Sequence, residues 1–465
     1  MNTRFKPEQI LERADGIAAH LGRENIRDSI VTALYSRAES IAARVVKQGT
    51  ARQPDWDRKL DNIITSKLLG YPLMLALLGI IFWITISAAN IPSQLLARLL
   101  FGLEDLLSAL LITAGAPVWL HDLLLQGLYR TMAWVVSVML PPMAIFFPLF
   151  TLLEDLGYLP RVAFNLDNLF KKAGAHGKQA LTMCMGFGCN AAGVISCRIV
   201  DSPRERLIAI LTNNFSPCNG RFPTLIALAT IFMGGLVTSA YRSLTAATVV
   251  VGTILLSIAM MFFTSWLLSR TILKGVPSLF TLELPPYRCP RVLQVLVRSL
   301  LDRTIFVLAR AVIVAAPAGI IIWILANIEF NNLKPLNFLA GWLQPLGMAI
   351  GMDGYILLAF ILGLPANEIV LPILLMCYLS TCTLTEAGSL ADLSTLLIQN
   401  GWTWLTAFCV MLFSLMHWPC GTTLLTIFKE TRSLKWTLLA AVIPTICGVA
   451  VCFLFKQIAA LLEVI

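Results

Sequence analysis

Charged residues are scarce in this sequence: Asp, Glu, Lys and Arg make up 13% of its 465 residues, while 57% are hydrophobic. Because about a quarter of the residues in a soluble domain are charged, this composition excludes an ordinary cytosolic enzyme and a disordered protein. The cysteines, eleven in number, lie mostly inside apolar stretches, so no disulfide framework is predicted. The net charge of +9 is attributed to basic loops of a membrane protein, and nucleic-acid binding is not predicted.

Catalytic motifs are missing as well. The sequence contains neither HExxH nor GxSxG. The segment GAHGKQ at 174–179 departs from the phosphate loop GxxxxGK[ST], because Lys172 occupies the first glycine position and Gln179 follows Lys178. We therefore predict neither an enzyme nor a nucleotide site in this chain.

The N-terminal residues 1–67 differ from the rest of the chain. They carry twelve Lys or Arg and nine Asp or Glu, with apolar residues at helical spacing. No apolar core follows the basic start, so this is not a signal peptide. The pattern predicts a cytoplasmic amphipathic helical segment.

Residues 68–465 are predicted to form an all-α, polytopic membrane domain of about eight transmembrane helices. The candidate spans are 68–89, 130–153, 222–240, 244–268, 304–328, 354–379, 402–418 and 435–455. Two further apolar segments, 103–120 and 336–350, are shorter and read as interfacial or re-entrant. Stretches 154–206 and 269–303 carry seven and six Lys or Arg, which places them and the N-terminus on the cytoplasmic side.

Glycine and proline cluster inside four otherwise apolar segments: 183–197, 213–223, 362–372 and 416–422. Unwound backbone at membrane depth needs polar partners, so such breaks are found where they line a cavity or a pathway. A loop or an ordinary helix kink is the alternative interpretation for any single segment.

The breaks occur in the same order in two halves of the chain. GFGCNAAGV (186–194) aligns with GLPANEIVL (363–371), and Pro217-Cys218 aligns with Pro419-Cys420. Paired interrupted helices in corresponding positions indicate a transporter built from structural repeats. We place repeat one at about 130–240 and repeat two at about 304–430; chance similarity of apolar segments is the alternative.

The polar groups at these breaks suit a borderline or soft divalent cation, because thiolate and imidazole select transition metals over Ca²⁺ and Mg²⁺. The leading candidate ligands are Cys189, Cys218 and Cys420. Glu368 is the one acid well inside a span, where a carboxylate is costly and usually functional. The further candidates, for which packing or backbone satisfaction is the alternative, are Asn190, Asn367, Met185, Met183 and His417.

These motifs resemble the membrane half of the ferrous iron transporter B (FeoB) family. The matching stretches, in order, are WDRKLDNIITSKLLGYPLM (56–74), LEDLGYLPRVAF (153–164), GKQALTMCMGFGCN (177–190), PRERL (203–207), SPCNGRFP (216–223), LPPYRCP (284–290) and WPCGTTLLTIFKE (418–430). The resemblance implies Fe²⁺ import across a bacterial inner membrane, two gate-type repeats, and an iron path through Cys189, Cys218 and Cys420. It implies Fe²⁺ as transported substrate and no permanently bound cofactor.

The chain departs from the family pattern in three places, and these departures leave parts of the function open. The GTPase domain that usually precedes the membrane part is not found, which predicts a split system with a separate GTPase polypeptide. Ala191-Ala192 replace the Val-Pro after GCN, and Asn367 replaces a lysine, which leaves the metal and the gating open. The alternative cargo on the same fold is another divalent metal (Mn²⁺ or Zn²⁺) or a nucleoside. If the chain is not a transporter, the alternatives are a membrane-embedded enzyme and a scaffold for a protein complex. Predicted partners are membrane lipid, Fe²⁺ and the GTPase; a small SH3-like FeoA-type protein and a homo-oligomer stay open.

Overall fold

The structure is a computed structural model that describes residues 23–45, 56–66, 68–236, 241–275, 291–328, 334–381, 383–384 and 389–462. Two compact units divide the chain, Met1–Leu60 and Asp61–Ile465. Every regular element in the described ranges is a helix, as the sequence predicts. The all-α membrane architecture is therefore confirmed.

The first unit contains helix α1, Arg23–Val45. The apolar side chains Ile30, Leu34, Ile41 and Val45 recur at helical spacing along it, and all four are exposed. Residues 1–22 and 46–55 of the predicted N-terminal segment lie outside the described residues. Helix α2, Trp56–Ile64, crosses the boundary between the units.

The second unit consists of apolar helices, several of them broken. In chain order they are α3 Gly70–Thr113, α4 Val118–Asp155, α5 Tyr158–Lys172, α6 Gln179–Gly188, α7 Asn190–Ser196, α8 Pro203–Thr212, α9 Phe222–Leu228, α10 Arg242–Arg270, α11 Val292–Asn327, α12 Pro335–Ala349, α13 Gly354–Leu362, α14 Val370–Leu379, α15 Leu390–Gln399, α16 Trp404–Met416, α17 Gly421–Thr431 and α18 Leu434–Leu461. Short 3₁₀ turns connect several of them, including Asn213–Phe215, Asn219–Arg221 and Asn367–Ile369.

Six helices of the described chain are long and apolar enough to cross a bilayer, or seven if the bent pair α12 and α13 forms one span. About eight spans were predicted, and two of them are not among these helices. Residues 222–236 are helical throughout, as α9, a π-helical turn, Ala229–Met233, and a 3₁₀ turn, Gly234–Leu236; residues 237–240 lie outside the described part. Residues 354–379 are divided between α13 and the turn-and-helix segment Asn367–Leu379.

Helix α3 joins two segments that the sequence analysis separated. Its 44 residues span about 66 Å, roughly twice the hydrocarbon thickness of a bilayer. Residues 103–113 therefore continue the first span as one helix, although they read as a separate interfacial segment. Segment 336–350, by contrast, forms α12, which meets α13 at an angle of 110° and fits the re-entrant prediction.

The broken helices lie in the core, and the long unbroken ones lie around them. All residues of α6 except Leu181 are buried, as are most residues of α16. Apolar side chains on α3, α10 and α18 are exposed in large numbers, for example Leu99, Leu255 and Leu454. Burial of irregular backbone inside a ring of apolar helices is the arrangement that hydrocarbon requires, because lipid cannot satisfy free backbone groups.

The backbone has nearly the same conformation at positions that the sequence alignment pairs. Cys189, between α6 and α7, has φ −154° and ψ 125°, and its counterpart Ala366 has φ −154° and ψ 128°. Cys218 has φ −79° and ψ 163°, and Cys420 has φ −60° and ψ 157°; each precedes a helix or helical turn. The two halves thus break their helices in the same way, while the boundaries given for the repeats stay a prediction.

Asp353 stabilises the sharp bend between α12 and α13, and its removal should weaken the fold. Its Oδ1 accepts a hydrogen bond from the Ile356 amide (2.6 Å), and Tyr378 donates its hydroxyl to Oδ2 (2.5 Å). Asp353→Ala removes a helix cap worth about 1 kcal/mol and deprives the Tyr378 hydroxyl of its acceptor, for a total loss of about 2–3 kcal/mol. Thermal unfolding of the detergent-solubilised chain measures this loss.

Ser389→Ala is the matched control, because Ser389 also caps a helix, α15, but is exposed. We expect it to cost about 1 kcal/mol or less. If both variants lower the midpoint equally, Asp353 acts as a helix cap alone.

Candidate functional site

A small cavity lies where the broken segments of both halves meet. Its volume is about 30 Å³. It is lined by Met139, Met143, Gly188, Cys189, Asn190, Cys218, Asn219, Gly220, Pro365, Ala366, Asn367, Glu368, Cys420 and Thr422. We call it the cysteine cavity. Six of the nine candidate ligands named from the sequence line it, drawn from four segments that are far apart in sequence.

Cys189 reaches the cavity because α6 ends at Gly188 and the chain turns through an extended residue before α7 starts. Gly188 is required by close packing: a Cβ atom built there would lie 2.2 Å from Cε1 of Phe146. The Asn190 carbonyl accepts a hydrogen bond from Nδ2 of Asn213 (3.0 Å), which holds the start of α7 against the segment that follows α8. The Gly-Cys-Asn sequence therefore places a thiol at the break and anchors the backbone behind it.

The second break of the first half brings Cys218 and Gly220 against the second half. Asn367 donates from Nδ2 to Sγ of Cys218 at 3.6 Å, which joins the two halves across the cavity. The carboxylate of Glu368 lies directly over Gly220, where a Cβ atom would stand 2.1 Å from Oε1. The absence of a side chain at 220 thus creates the space that this carboxylate occupies.

Cys420 supplies the third thiol, at the start of α17. Its Sγ lies 3.2 Å from Oγ1 of Thr423, one turn further along the helix. The Gly421 amide donates to the carbonyl of Leu364, which ties this break to the Gly-Leu-Pro-Ala break (2.6 Å). Both breaks of the second half are thereby held together at the cavity wall.

His417 does not line the cysteine cavity. Its Nδ1 lies 3.1 Å from the carbonyl oxygen of Phe413 and 2.9 Å from that of Ser414. Its Nε2 faces Oδ1 of Asn367 at 3.3 Å. Because Asn367 in turn contacts Cys218, His417 lies directly behind an amide that borders the cysteine cavity.

The two methionine candidates lie away from the cysteine cavity. Met185 lines a second cavity, and Met183 packs in the large hydrophobic core. The methionines that do line the cysteine cavity are Met139 and Met143, on α4. Sequence reasoning missed them, although their spacing of four residues around Pro141-Pro142 places both on one helix face.

Arg221 is a further residue that sequence reasoning missed. Its side chain is 1% exposed. It donates from Nη1 to the carbonyls of Asn214 (3.0 Å) and Leu415 (3.1 Å), and from Nη2 to Oδ1 of Asn214 (3.0 Å). Asn214 also donates to the carbonyl of His417. This guanidinium therefore links the first half to the helix that precedes Cys420.

The signal for Arg221 was available in the sequence. A charged side chain inside an apolar segment is costly to bury and usually functional, which is why Glu368 was selected. Arg221 lies in such a segment and can be selected on the same ground.

The donor side chains that line the cysteine cavity are three thiols, one carboxylate, three amides and one hydroxyl, a mixed set with soft character. In the part of the chain that the structure describes, no three His, Cys, Asp or Glu side chains come close enough to form a ready metal site. A volume of about 30 Å³ admits one or two water molecules or a single ion. The cavity in this conformation is much too small for a nucleoside, since organic ligands occupy pockets of about 300 Å³ or more.

The GAHGKQ segment is not a phosphate loop in the structure either. Lys178 forms an ion pair with Asp201 (2.7 Å), and the Lys178 amide donates to Nδ1 of His176 (3.0 Å). The hydrogen bond from Lys178 holds the pKa of the Asp201 carboxyl below its ordinary value. The lysine is therefore committed to a carboxylate within the chain.

Two family models match this chain. The model described as "Gate: Nucleoside recognition" matches residues 136–232 and 308–434, and "Ferrous iron transport protein B C terminus" matches residues 250–302. The two segments of the first match contain all four breaks. Neither model is that of a GTPase domain.

Several curated proteins are similar to almost the whole chain. The Fe(2+) transporter FeoB of Staphylococcus aureus (strain MSSA476) is 30% identical over 468 residues, covering 97% of this chain and 65% of that protein. That of Methanocaldococcus jannaschii is 27% identical over 449 residues, covering 93% and 63%. A Porphyromonas gingivalis protein named as a fusion of Fe(2+) transport protein A and Fe(2+) transporter FeoB is 23% identical over 446 residues, covering 86% and 51%. The chain thus spans about two thirds or less of these relatives' length, and no solved structure matches it.

Proposed function

The chain belongs to the FeoB family through its membrane domain, and from this premise we propose that it forms the passage by which Fe²⁺ crosses a bacterial inner membrane. It is a multi-pass membrane protein with at least six apolar helices in its described part. The basic stretches 154–206 and 269–303 support a cytoplasmic N-terminus.

The observation that carries this proposal is the cysteine cavity itself. Cys189, Cys218 and Cys420 come from three different breaks, yet their thiols line one space between the two halves. Apolar packing does not require thiols, a carboxylate and three amides to converge at one point, whereas a borderline cation needs such donors. The site therefore fits a single dehydrated transition-metal ion.

The same donors fit an ion in transit better than a resident cofactor. Conduction requires a site that attracts the ion and also releases it, so a preassembled shell of strong ligands would impede passage. The three thiols, Asn367 and Glu368 become ligands of the ion when the two halves close around it. We accordingly assign Fe²⁺ as cargo and no permanent cofactor.

Fe²⁺ uptake by proteoliposomes that contain the purified chain tests this function. We expect uptake under anaerobic, reducing conditions that exceeds protein-free vesicles and that Zn²⁺ or Mn²⁺ inhibits by competition at the same donors. Uptake of Mn²⁺ or Zn²⁺ without Fe²⁺ would reassign the cargo. Failure to move any of the three ions, with or without added GTPase, would refute the metal passage.

We further propose that a GTPase acts on this passage as a separate polypeptide, and that an FeoA-type protein is a second partner. The family model matches lie entirely in the membrane domain, and the P. gingivalis relative's name joins an A-type protein to FeoB. The purified chain should not bind a labelled GTP analogue, because its only loop of related sequence commits Lys178 to Asp201. Binding at micromolar concentration would contradict a separate GTPase.

A further inference from the structure

A second, larger cavity lies beside the cysteine cavity. Its volume is about 230 Å³. It is lined by Phe150, Glu154, Leu159, Leu181, Met185, Ala192, Ile195, Ser196, Ile199, Phe306 and Val307. We call it the side cavity. Its lining is apolar except for Ser196 and for Glu154, which is exposed near the end of α4.

The two cavities flank the first break. Met185 and Ala192, which line the side cavity, lie four residues before and three residues after Cys189, which lines the cysteine cavity. Met185 and Ala192 pack in one buried cluster with Cys189. Side chains of this cluster therefore lie between a narrow polar space and a wide one.

Helix α4 carries one row of residues past both spaces. Met139 and Met143 face the cysteine cavity, and Phe150 and Glu154 face the side cavity. Their spacing of three, four or seven residues places them on the same face of the helix. Phe146 lies on this row between the two pairs.

Phe146 is in contact with both ends of the row. A small void of about 10 Å³ touches Phe146 and shares Met143, Gly188 and Asn219 with the cysteine cavity. On the other side, the Phe146 ring stacks on Phe150, with centroids 5.6 Å apart and planes at 22°. Phe146 is only 2% exposed. An aromatic pair thus fills the space between the two cavities.

We propose that the passage continues from the cysteine cavity into the side cavity, and that the Phe146 ring is the closed gate between them. The proposal rests on the proposed metal passage. A buried apolar constriction excludes water and therefore an ion, and rotation of one ring removes it. Glu154, at the wide end, is then the first carboxylate that an ion meets beyond the gate, on the cytoplasmic side in the orientation given above.

Thiol labelling of Cys189 tests the gate without requiring transport. The full chain in liposomes is treated with N-ethylmaleimide, and peptide mass spectrometry measures the labelling rate of each cysteine. Ser196→Cys reports whether the reagent enters the side cavity. We expect Phe146→Ala to raise the labelling rate of Cys189 about tenfold, equivalent to ~1.4 kcal/mol in favour of the open state, and to raise passive Fe²⁺ leak.

Two controls separate gating from loosened packing. Phe170→Ala removes an equally buried ring that packs on Phe262 away from both cavities, and should leave Cys189 protected. Cys452, which is fully buried and donates to the Cys409 carbonyl, should remain unlabelled in every variant. If Phe146→Ala does not fold, Phe146→Leu keeps an apolar side chain and should give a smaller rise.

The outcomes for the gate and for the iron passage are distinguishable. The gate is overturned if Cys189 in a folded Phe146 variant is labelled no faster than in Phe170→Ala while the cysteine of Ser196→Cys reacts. This holds even if the chain carries Fe²⁺. Faster labelling in a chain that moves no metal ion supports the gate and refutes the proposed cargo.

Discussion

Replacing Cys189 and Cys420 together by serine should lower Fe²⁺ uptake about 100-fold while the protein stays folded in the membrane. Serine keeps nearly the same size but exchanges a soft sulfur for a hard oxygen, so we expect the double substitution to weaken the binding of a transition metal in the cysteine cavity. Changes around metal sites typically cost 10- to 100-fold, and here two of three thiols are removed. Initial uptake rates in proteoliposomes, normalised to protein content, measure the effect.

Cys452→Ser is the matched control for this pair. Its thiol is buried too, but it donates to a backbone carbonyl outside the cysteine cavity, a bond that a hydroxyl can replace. We expect uptake close to that of the unmodified chain. Unimpaired uptake by the double variant would show that Cys189 and Cys420 are packing residues and that the ion travels elsewhere.

Gly220→Ala should impair Fe²⁺ uptake at least about tenfold, although it adds only one methyl group. The new Cβ would lie 2.1 Å from Oε1 and 2.3 Å from Cδ of Glu368, so the carboxylate must leave its place at the cavity wall. Overpacking of this kind costs about 1–3 kcal/mol, and the carboxylate is also lost as a ligand. Glu368→Gln should produce a comparable loss, because it keeps the shape and removes the charge.

Gly252→Ala provides the control for the glycine substitution. Gly252 lies in α10, and a Cβ built there meets no atom within 4 Å. This variant should transport normally and unfold at the same or a slightly higher temperature, since alanine favours the helix. Equal transport by Gly220→Ala and Gly252→Ala would mean that the position of Glu368 is irrelevant to passage.

Arg221 and Glu368 together explain how a charged site is tolerated in the core. The guanidinium is satisfied largely by backbone carbonyls of both halves, and the acid lies over the glycine that precedes the arginine in sequence. Opposite charges at one depth reduce the cost of burying either.

The helical membrane architecture followed from local sequence properties. Long apolar runs with few charges require helices in lipid, because only a helix satisfies its own backbone there. The glycine and proline clusters likewise located the breaks, since those residues interrupt helices wherever they occur. Local sequence did not predict that residues 90–113 continue α3, because helix length depends on neighbouring packing as well as on hydropathy.

Part of the candidate site could also be predicted from the sequence, because its residues stand where the helices break. Cys189, Cys218, Cys420, Asn190, Asn367 and Glu368 were selected because they stand at breaks, and the tertiary structure brings all six to one cavity. Direction within a helix was the information that the sequence lacked. Met185 and Met143 are equally apolar in the sequence, yet only Met143 faces the cysteine cavity, while Met185 faces the side cavity.

The sequence by itself determined the class of molecule, the places where its helices break, and the type of donor at each break, because these depend on local chemistry. Only the tertiary structure decided which donors share a space, that His417 lies behind Asn367 and does not line the cavity, that Arg221 joins the halves, and that Phe146 stands between two cavities. The physical reason is that these relations depend on how segments some 200 residues apart pack together. Such packing distances are a property of the assembled halves, and no single segment encodes them.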